Sequence, residues 1–82
     1  MRFTAAIVRE QGVTFTVFLV KSGVINSGRR ESVRSSVPAN LPRPIILAEQ
    51  KSNGRMQYHG RQDIVRFLSR LPFQSLPWKE YS

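Results

Sequence analysis

The sequence contains no cysteine, one histidine and only five acidic residues among 82. Without cysteine, disulfides, thiolate metal sites and cysteine nucleophiles are excluded. A zinc site needs several ligands of the right type, and one histidine, His59, with scattered carboxylates does not supply them. No two carboxylates form a recognisable glycosidase pair. We therefore expect no catalytic residues, no metal site and no cofactor, and we predict that the protein is not an enzyme.

Long apolar runs are also missing. The longest, Val17 to Val20, is far too short to span a bilayer. The apolar stretch near the N-terminus is interrupted by Arg9 and Glu10, which is unlike a signal peptide. These features predict no membrane insertion and a cytoplasmic location.

Positive charge, in contrast, is abundant. Thirteen basic residues give a formal net charge of +8, and ten of the thirteen are arginine. Such a surface attracts nucleic acid, an acidic protein or an anionic membrane. A solvated surface with no partner explains the composition equally well. The length allows one domain, residues 1–82, with a modest core and a shallow groove.

The N-terminal half predicts two strands and a short helix. Residues from Phe3 to Arg9 and from Val13 to Lys21 are rich in β-branched and apolar side chains, and Gly12 lies in the turn between them. The second strand becomes continuously apolar, which is typical of a central strand buried on both faces. Helix-capping residues then precede a short helix from Arg29 to Val37.

The C-terminal half repeats the order of hairpin and helix. Two strands are predicted, from Ile45 to Glu49 and from Arg55 to His59, and the Asn53-Gly54 turn joins them. The following helix, from Arg61 to Leu71, has a helically spaced apolar stripe, formed by Ile64, Phe67, Leu68 and Leu71.

These elements predict a single compact domain of the mixed α/β (α+β) class. The predicted order is β-β-α-β-β-α with a four-stranded mixed sheet. Residues 72–82 contain Phe73, Leu76, Trp78 and Tyr81, so we expect an ordered C-terminal tail packed on the domain.

Residues 44–71 resemble the second half of a thioredoxin-like fold. The shared features are Pro44 opening a strand, the Asn53-Gly54 hairpin turn, Gly60 after the last strand and a closing amphipathic helix. The resemblance implies a thioredoxin-like domain without the Cys-x-x-Cys motif of that family. Redox activity would then be absent, which leaves a binding or scaffolding role. The resemblance assigns no family to the whole chain.

The candidate site is a cluster of arginines on the two helices. If both helices lie on one face of the sheet, their outward charges add to one polyanion-binding surface, whereas opposite faces give no single patch. A solvated surface with local ion pairs to Glu31 and Asp63 is the alternative. The predicted polyanion-binding residues are Arg29, Arg30, Arg34, Arg61, Arg66 and Arg70.

Two functions follow from these observations. The first is a small non-enzymatic binding module for an anionic partner, either nucleic acid or an acidic protein. The second is a protein–protein adaptor or accessory subunit that uses the tail aromatics or an edge strand as its interface. Trp78 and Tyr81 are candidates for base stacking or for partner anchoring, and packing of the tail on the domain is the alternative.

Overall fold

The protein folds around a five-stranded mixed sheet, which a computed structural model describes over residues 2–81. The strand order is β4-β3-β2-β1-β5; β2 and β3 are parallel and the other neighbours antiparallel. The elements are β1 Phe3–Glu10, β2 Val13–Val20, α1 Arg30–Ser35, β3 Ile45–Gln50, β4 Met56–His59, α2 Gln62–Leu68, a 3₁₀ turn at Phe73–Ser75, and β5 Trp78–Tyr81. The predicted compact α+β domain is confirmed.

The predicted number of strands is wrong. The tail adds β5, which pairs antiparallel with β1 so that Ala6 lies opposite Trp78 and Phe3 lies opposite Tyr81. The sheet therefore has five strands and not four. This pairing joins the two ends of the described chain, so no local pattern within the tail reveals it.

A tight hairpin connects β1 and β2. Gln11 and Gly12 both have positive φ, 51° and 80°, and Glu10 pairs with Val13 across the turn. Positive φ at both central residues is the geometry of a two-residue hairpin turn that matches the twist of the strands. The strands differ from the prediction by one residue, because β1 continues to Glu10 and β2 stops at Val20. As predicted, β2 is the central strand.

Each face of the sheet carries its own core, because neighbouring side chains of a strand point to opposite faces. Ala6 and Ile46 belong to one core, and Ala5 and Leu47 to the other. Helix α2 covers the first face with Ile64, Leu68 and half-buried neighbours. Helix α1 covers part of the second face, where its Val33 packs at the edge. The two helices therefore lie on opposite faces of the sheet.

Both helices are shorter than predicted. Helix α1 begins one residue after Arg29 and ends at Ser35, so buried Val37 lies beyond it. Helix α2 ends at Leu68 because Arg70 and Leu71 bond back three residues rather than four, a tightened turn before Pro72. Its apolar stripe divides accordingly. Ile64 and Leu68 are buried, whereas Phe67 and Leu71 are half-buried at the rim of the core.

Gly60 allows the chain to pass closely over β3 between β4 and α2. A Cβ atom at this position would lie 2.5 Å from Ile46 Cδ1 and 3.3 Å from the Ile45 carbonyl oxygen. A side chain at Gly60 would therefore push against the buried Ile46, which belongs to the core under α2. The close approach places Arg61 beside the start of β3.

Candidate anion-binding surface

The structure separates the six predicted arginines. Arg29 and Arg30 are exposed at the start of α1, and Arg30 Nη1 donates to the Ile25 carbonyl oxygen over 3.4 Å. Because α1 and α2 lie on opposite faces, the outward surfaces of the helices do not form one patch. The arginines that do come together meet at one end of the sheet, where β1 and β4 end and β2 and β3 begin.

A cavity of about 760 Å³ opens at this end of the sheet, on the side of α1. We call it the His59 cavity. Its walls come from α1, the start of β3, the end of β4 and the residues that precede α2. It is lined by Arg34, Ser35, Arg43, Pro44, Ile45, His59, Gly60 and Arg61.

Arg34 ties α1 to the sheet inside this cavity. Its Nε donates to the Ile45 carbonyl oxygen over 3.3 Å, and its Nη2 donates to the His59 carbonyl oxygen over 2.9 Å. Nη1 bonds to Glu31 on the same helix, which holds the pKa of the Glu31 carboxyl below its ordinary value. With most of its donors already used, Arg34 acts mainly as a structural clamp.

His59 is held in one neutral form by the same guanidinium. Arg34 Nη2 lies 2.7 Å from His59 Nδ1, and arginine can only donate, so Nδ1 accepts and the ring proton sits on Nε2. Burial lowers the pKa of His59, and the positive charges of Arg30 and Arg34 lower it further, while Glu31 opposes them. A protonated His59 would lose the acceptor that Arg34 uses.

We predict that His59 makes the stability of the domain depend on pH. Folding lowers the pKa of His59, so the stabilisation that neutral His59 gives to the folded domain is fully present above the ordinary pKa of 6.5. This stabilisation is lost as the pH falls through the lower pKa of the folded state. Denaturant unfolding between pH 8 and pH 5 should show this loss. His59→Gln keeps an acceptor for Arg34 but does not titrate, so its stability should change less over this range. An equal pH dependence in both proteins would contradict the prediction.

Arg43 also lines the His59 cavity. Its guanidinium donates to three carbonyl oxygens of the preceding loop, those of Val37, Pro38 and Leu41, over 3.1–3.4 Å. The bond from Arg43 to Pro44 is cis and leads directly into β3. Arg43 therefore closes the loop on itself and adds a positive charge to the cavity.

A second cavity, of about 430 Å³, lies on the other face beside α2 and the β1–β2 turn. We call it the α2 cavity. Arg61, Arg66 and Arg70 line it together with Glu10 and Asp63, among other residues. Arg61 Nε donates to both carboxylate oxygens of Asp63, over 2.9 and 3.1 Å, and this bond lowers the pKa of Asp63.

Arg61 belongs to both cavities and joins them around the end of the sheet. On the side of α2, Arg66 and Arg70 are exposed and take part in none of the ion pairs formed within residues 2–81. Their charges are therefore not neutralised by a bound carboxylate of the described chain. We call the joined set the arginine surface; it consists of Arg34, Arg43, Arg61, Arg66 and Arg70.

Sequence reasoning missed two residues of this site. Arg43 was not among the predicted arginines, although its position between Pro42 and Pro44 just before a strand was a local signal. His59 was not predicted as a site residue, because Arg34, its partner in the structure, lies 25 positions away. Arg29 and Arg30, which were predicted, line neither cavity.

Comparison of the chain with protein-family models, curated proteins and solved structures finds no match. The thioredoxin-like resemblance of residues 44–71 therefore stays a prediction. Within residues 2–81, no helix is long and apolar enough to cross a membrane. The same residues contain no group of three or more His, Asp or Glu side chains placed to hold a metal ion.

Proposed function

We propose that the protein is a small, non-enzymatic binding module whose arginine surface binds a polyanion, with nucleic acid as the partner. The observation that carries the proposal is the position of Arg61, which connects the unneutralised Arg66 and Arg70 with the His59 cavity on the other face. Arginine side chains thus follow one another around one end of the sheet, although the two helices face apart; Asp63 pairs with Arg61, whereas Arg66 and Arg70 form no ion pair within residues 2–81.

The chemistry of this surface suits phosphate groups. Guanidinium groups present several donors in a planar fork that matches phosphate oxygens, and they remain charged at all physiological pH values. Arg66 and Arg70 are one helical turn apart, at positions i and i+4 of the segment that forms α2 and its final turn, so both reach the same region of solvent. A chain of phosphates can contact both residues and continue towards Arg61.

A catalytic role has less support. His59 is the only histidine of the sequence, and its Nδ1 is occupied by Arg34. We find no nucleophile bonded to a general base within residues 2–81, which is the pairing typical of covalent catalysis by a protein side chain. If residues 44–71 are thioredoxin-like, the same conclusion follows, because the chain has no cysteine.

The proposal predicts salt-dependent binding that requires Arg66 and Arg70. Binding of labelled DNA or RNA fragments should weaken steeply between 50 and 200 mM salt, because phosphate contacts release counterions. The double reversal Arg66→Glu with Arg70→Glu should lower affinity in all sequences and reduce the salt slope by about two, roughly one per lost phosphate contact. Titration by fluorescence anisotropy measures both quantities.

A matched control uses charges at the other end of the sheet. Lys21 follows β2 and Arg55 precedes β4, so both lie far from the arginine surface. The double reversal Lys21→Glu with Arg55→Glu changes the net charge equally and should leave most of the affinity. Equal losses in the two double variants, or no binding at about 100 μM protein, the weak limit of non-specific affinity, would refute the proposal.

One observation favours the adaptor as the second candidate. Strand β5 forms an edge of the sheet, and an edge strand offers unpaired backbone groups to a partner strand. If no nucleic acid binds and a protein is instead captured through β5, the adaptor becomes the better-supported function.

A further inference from the structure

Two aromatic rings from opposite ends of the chain stack on the sheet face that α1 partly covers. Phe3 of β1 lies directly opposite Tyr81 of β5, and their ring centroids are 5.0 Å apart with an interplanar angle of 11°. Phe18 of β2 supports Phe3 from the core side, at 5.2 Å between centroids. Phe18 is buried, whereas Phe3 and Tyr81 are only half-buried, so part of this stack faces solvent.

The surroundings of the stack are open, partly apolar and positively charged. Helix α1 packs on β3, two strands away from β1, and leaves β1 and β5 beyond it. Ile7, which points to the same face, is 39% exposed and is the only large hydrophobic side chain of residues 2–81 that is exposed. On this face, the side chains of β1, β2 and β5 include no acidic residue. Strand β1 contributes Phe3, Ala5, Ile7 and Arg9, β2 contributes Thr14, Thr16, Phe18 and Val20, and β5 contributes Lys79 and Tyr81.

Two cations lie on this face, one beside the rings and one at the far end of β1. Lys79 Nζ lies 5.5 Å from the centre of the Tyr81 ring, and Arg9 is exposed at the far end of β1. Arg9 is six positions after Phe3 in β1, a length of about 20 Å along the strand. Arg9 precedes Glu10 and Gln11, which line the α2 cavity on the other face, so this face and the arginine surface meet only around the β1–β2 turn.

We propose that the partner is a single-stranded nucleic acid, a base of which stacks on the face of Tyr81 that is turned away from Phe3, in place of the Lys79 side chain, while Lys79 and Arg9 contact its phosphates. The proposal rests on the proposed function, since the arginine surface supplies further backbone contacts. Exposed aromatic rings beside cations are how proteins hold single strands without reading their sequence. A duplex keeps its base faces stacked internally and gains nothing from these rings, and an acidic protein has no need of them.

The test compares a 12-nucleotide single strand with a 12-base-pair duplex that contains the same sequence. Wild-type protein should bind the single strand more tightly at equal salt. Tyr81→Leu should weaken single-strand binding by about 5-fold or more, the range for loss of one stacked base, and leave duplex binding unchanged. Tyr81→Phe, which keeps the ring, should bind as wild type does. Trp78→Phe changes an aromatic ring on the opposite face of β5 and should also have no effect.

A measurement on the unmodified protein covers the case in which Tyr81→Leu does not fold. The ring proton resonances of Phe3 and Tyr81 should shift on addition of the single strand and stay in place with the duplex. Equal affinity for both nucleic acids, equal weakening of both by Tyr81→Leu, or unmoved ring resonances would each overturn single-strand stacking. If binding to both is nonetheless weakened by reversal of Arg66 and Arg70, the proposed function stands alone. If neither nucleic acid binds, the proposed function itself fails.

Discussion

Replacing Glu49 with alanine is expected to lower the free energy of unfolding by about 3–5 kcal/mol, with about 2 kcal/mol from truncating a buried side chain and about 1–3 kcal/mol from a buried backbone donor left without its acceptor. The Glu49 side chain on β3 is 1% exposed. One carboxylate oxygen accepts the backbone N–H of Ile25 over 3.2 Å, and Lys51 Nζ lies 3.0 Å from the other. A hydrogen bond from the backbone of Gly23 is the largest contribution that lowers the pKa of Glu49.

The effect should be this large because the carboxylate organises the loop after β2. Without it, the buried backbone N–H of Ile25 loses its acceptor, and an unpaired buried donor costs about 1–3 kcal/mol. Thermal unfolding monitored by circular dichroism should therefore show a melting temperature lower by more than about 12 °C for a domain of this size.

Two further variants separate the charge pair from the loop contacts. Lys51→Met removes only the cation and should destabilise less than Glu49→Ala, because the backbone contacts remain. Glu80→Ala removes an exposed carboxylate whose ion pair with Arg2 is 3.7 Å long, and it should cost at most about 1 kcal/mol. A Glu49→Ala protein as stable as Glu80→Ala would show that the buried contacts contribute little.

Glu49 also gives the domain an acid limit that is distinct from that of His59. Because folding lowers the pKa of Glu49, its contribution is present above the ordinary value of 4.5 and is lost as pH falls through the lower folded pKa. As pH falls, the loss of stability through His59 therefore begins at a higher pH, below 6.5, than the loss through Glu49, below 4.5.

Cutting the chain after Pro72 is expected to lower the melting temperature by more than about 10 °C and to promote aggregation. The cut removes Leu76, which is 7% exposed and belongs to the core under α2. Trp78, whose Nε1 donates to the Phe73 carbonyl oxygen over 2.7 Å, is removed as well. It also removes β5 and so exposes the edge of β1, a template for pairing with other chains. Calorimetry and light scattering measure the two effects.

Point substitutions keep this prediction testable if the shortened chain does not fold. Leu76→Ala should cost about 2–4 kcal/mol because it leaves a cavity under α2. Gln74→Ala changes an exposed residue of the same 3₁₀ turn and should stay within about 0.5 kcal/mol of wild type. An unchanged melting temperature for the truncated chain would show that the tail contributes nothing to the fold.

The candidate site was only partly predictable. The helical spacing of Arg66 and Arg70 places them together on any helix that buries Ile64 and Leu68, so their common exposure followed from the sequence. The sequence did not show on which side of the sheet each helix packs, because both faces of a central apolar strand accept a helix. This choice placed Arg29, Arg30 and Arg34 on the face opposite Arg66 and Arg70.

Local chemistry in the sequence determined most of the secondary structure. Alternating and β-branched runs, the Gly12 and Asn53-Gly54 turns and the apolar stripe of α2 act over a few residues, so their order and approximate limits could be predicted. The absence of cysteine, the single histidine and the excess of arginine likewise needed no structure to interpret.

Only the tertiary structure decided which distant residues meet. The pairing of β1 with β5 brings Phe3 beside Tyr81, and the packing of α1 on β3 brings Arg34 to His59. Arg61 joins two cavities because Gly60 lets the chain cross closely over β3. Such contacts depend on which surfaces the whole chain buries together, and that balance is set by all the apolar side chains at once rather than by any local pattern.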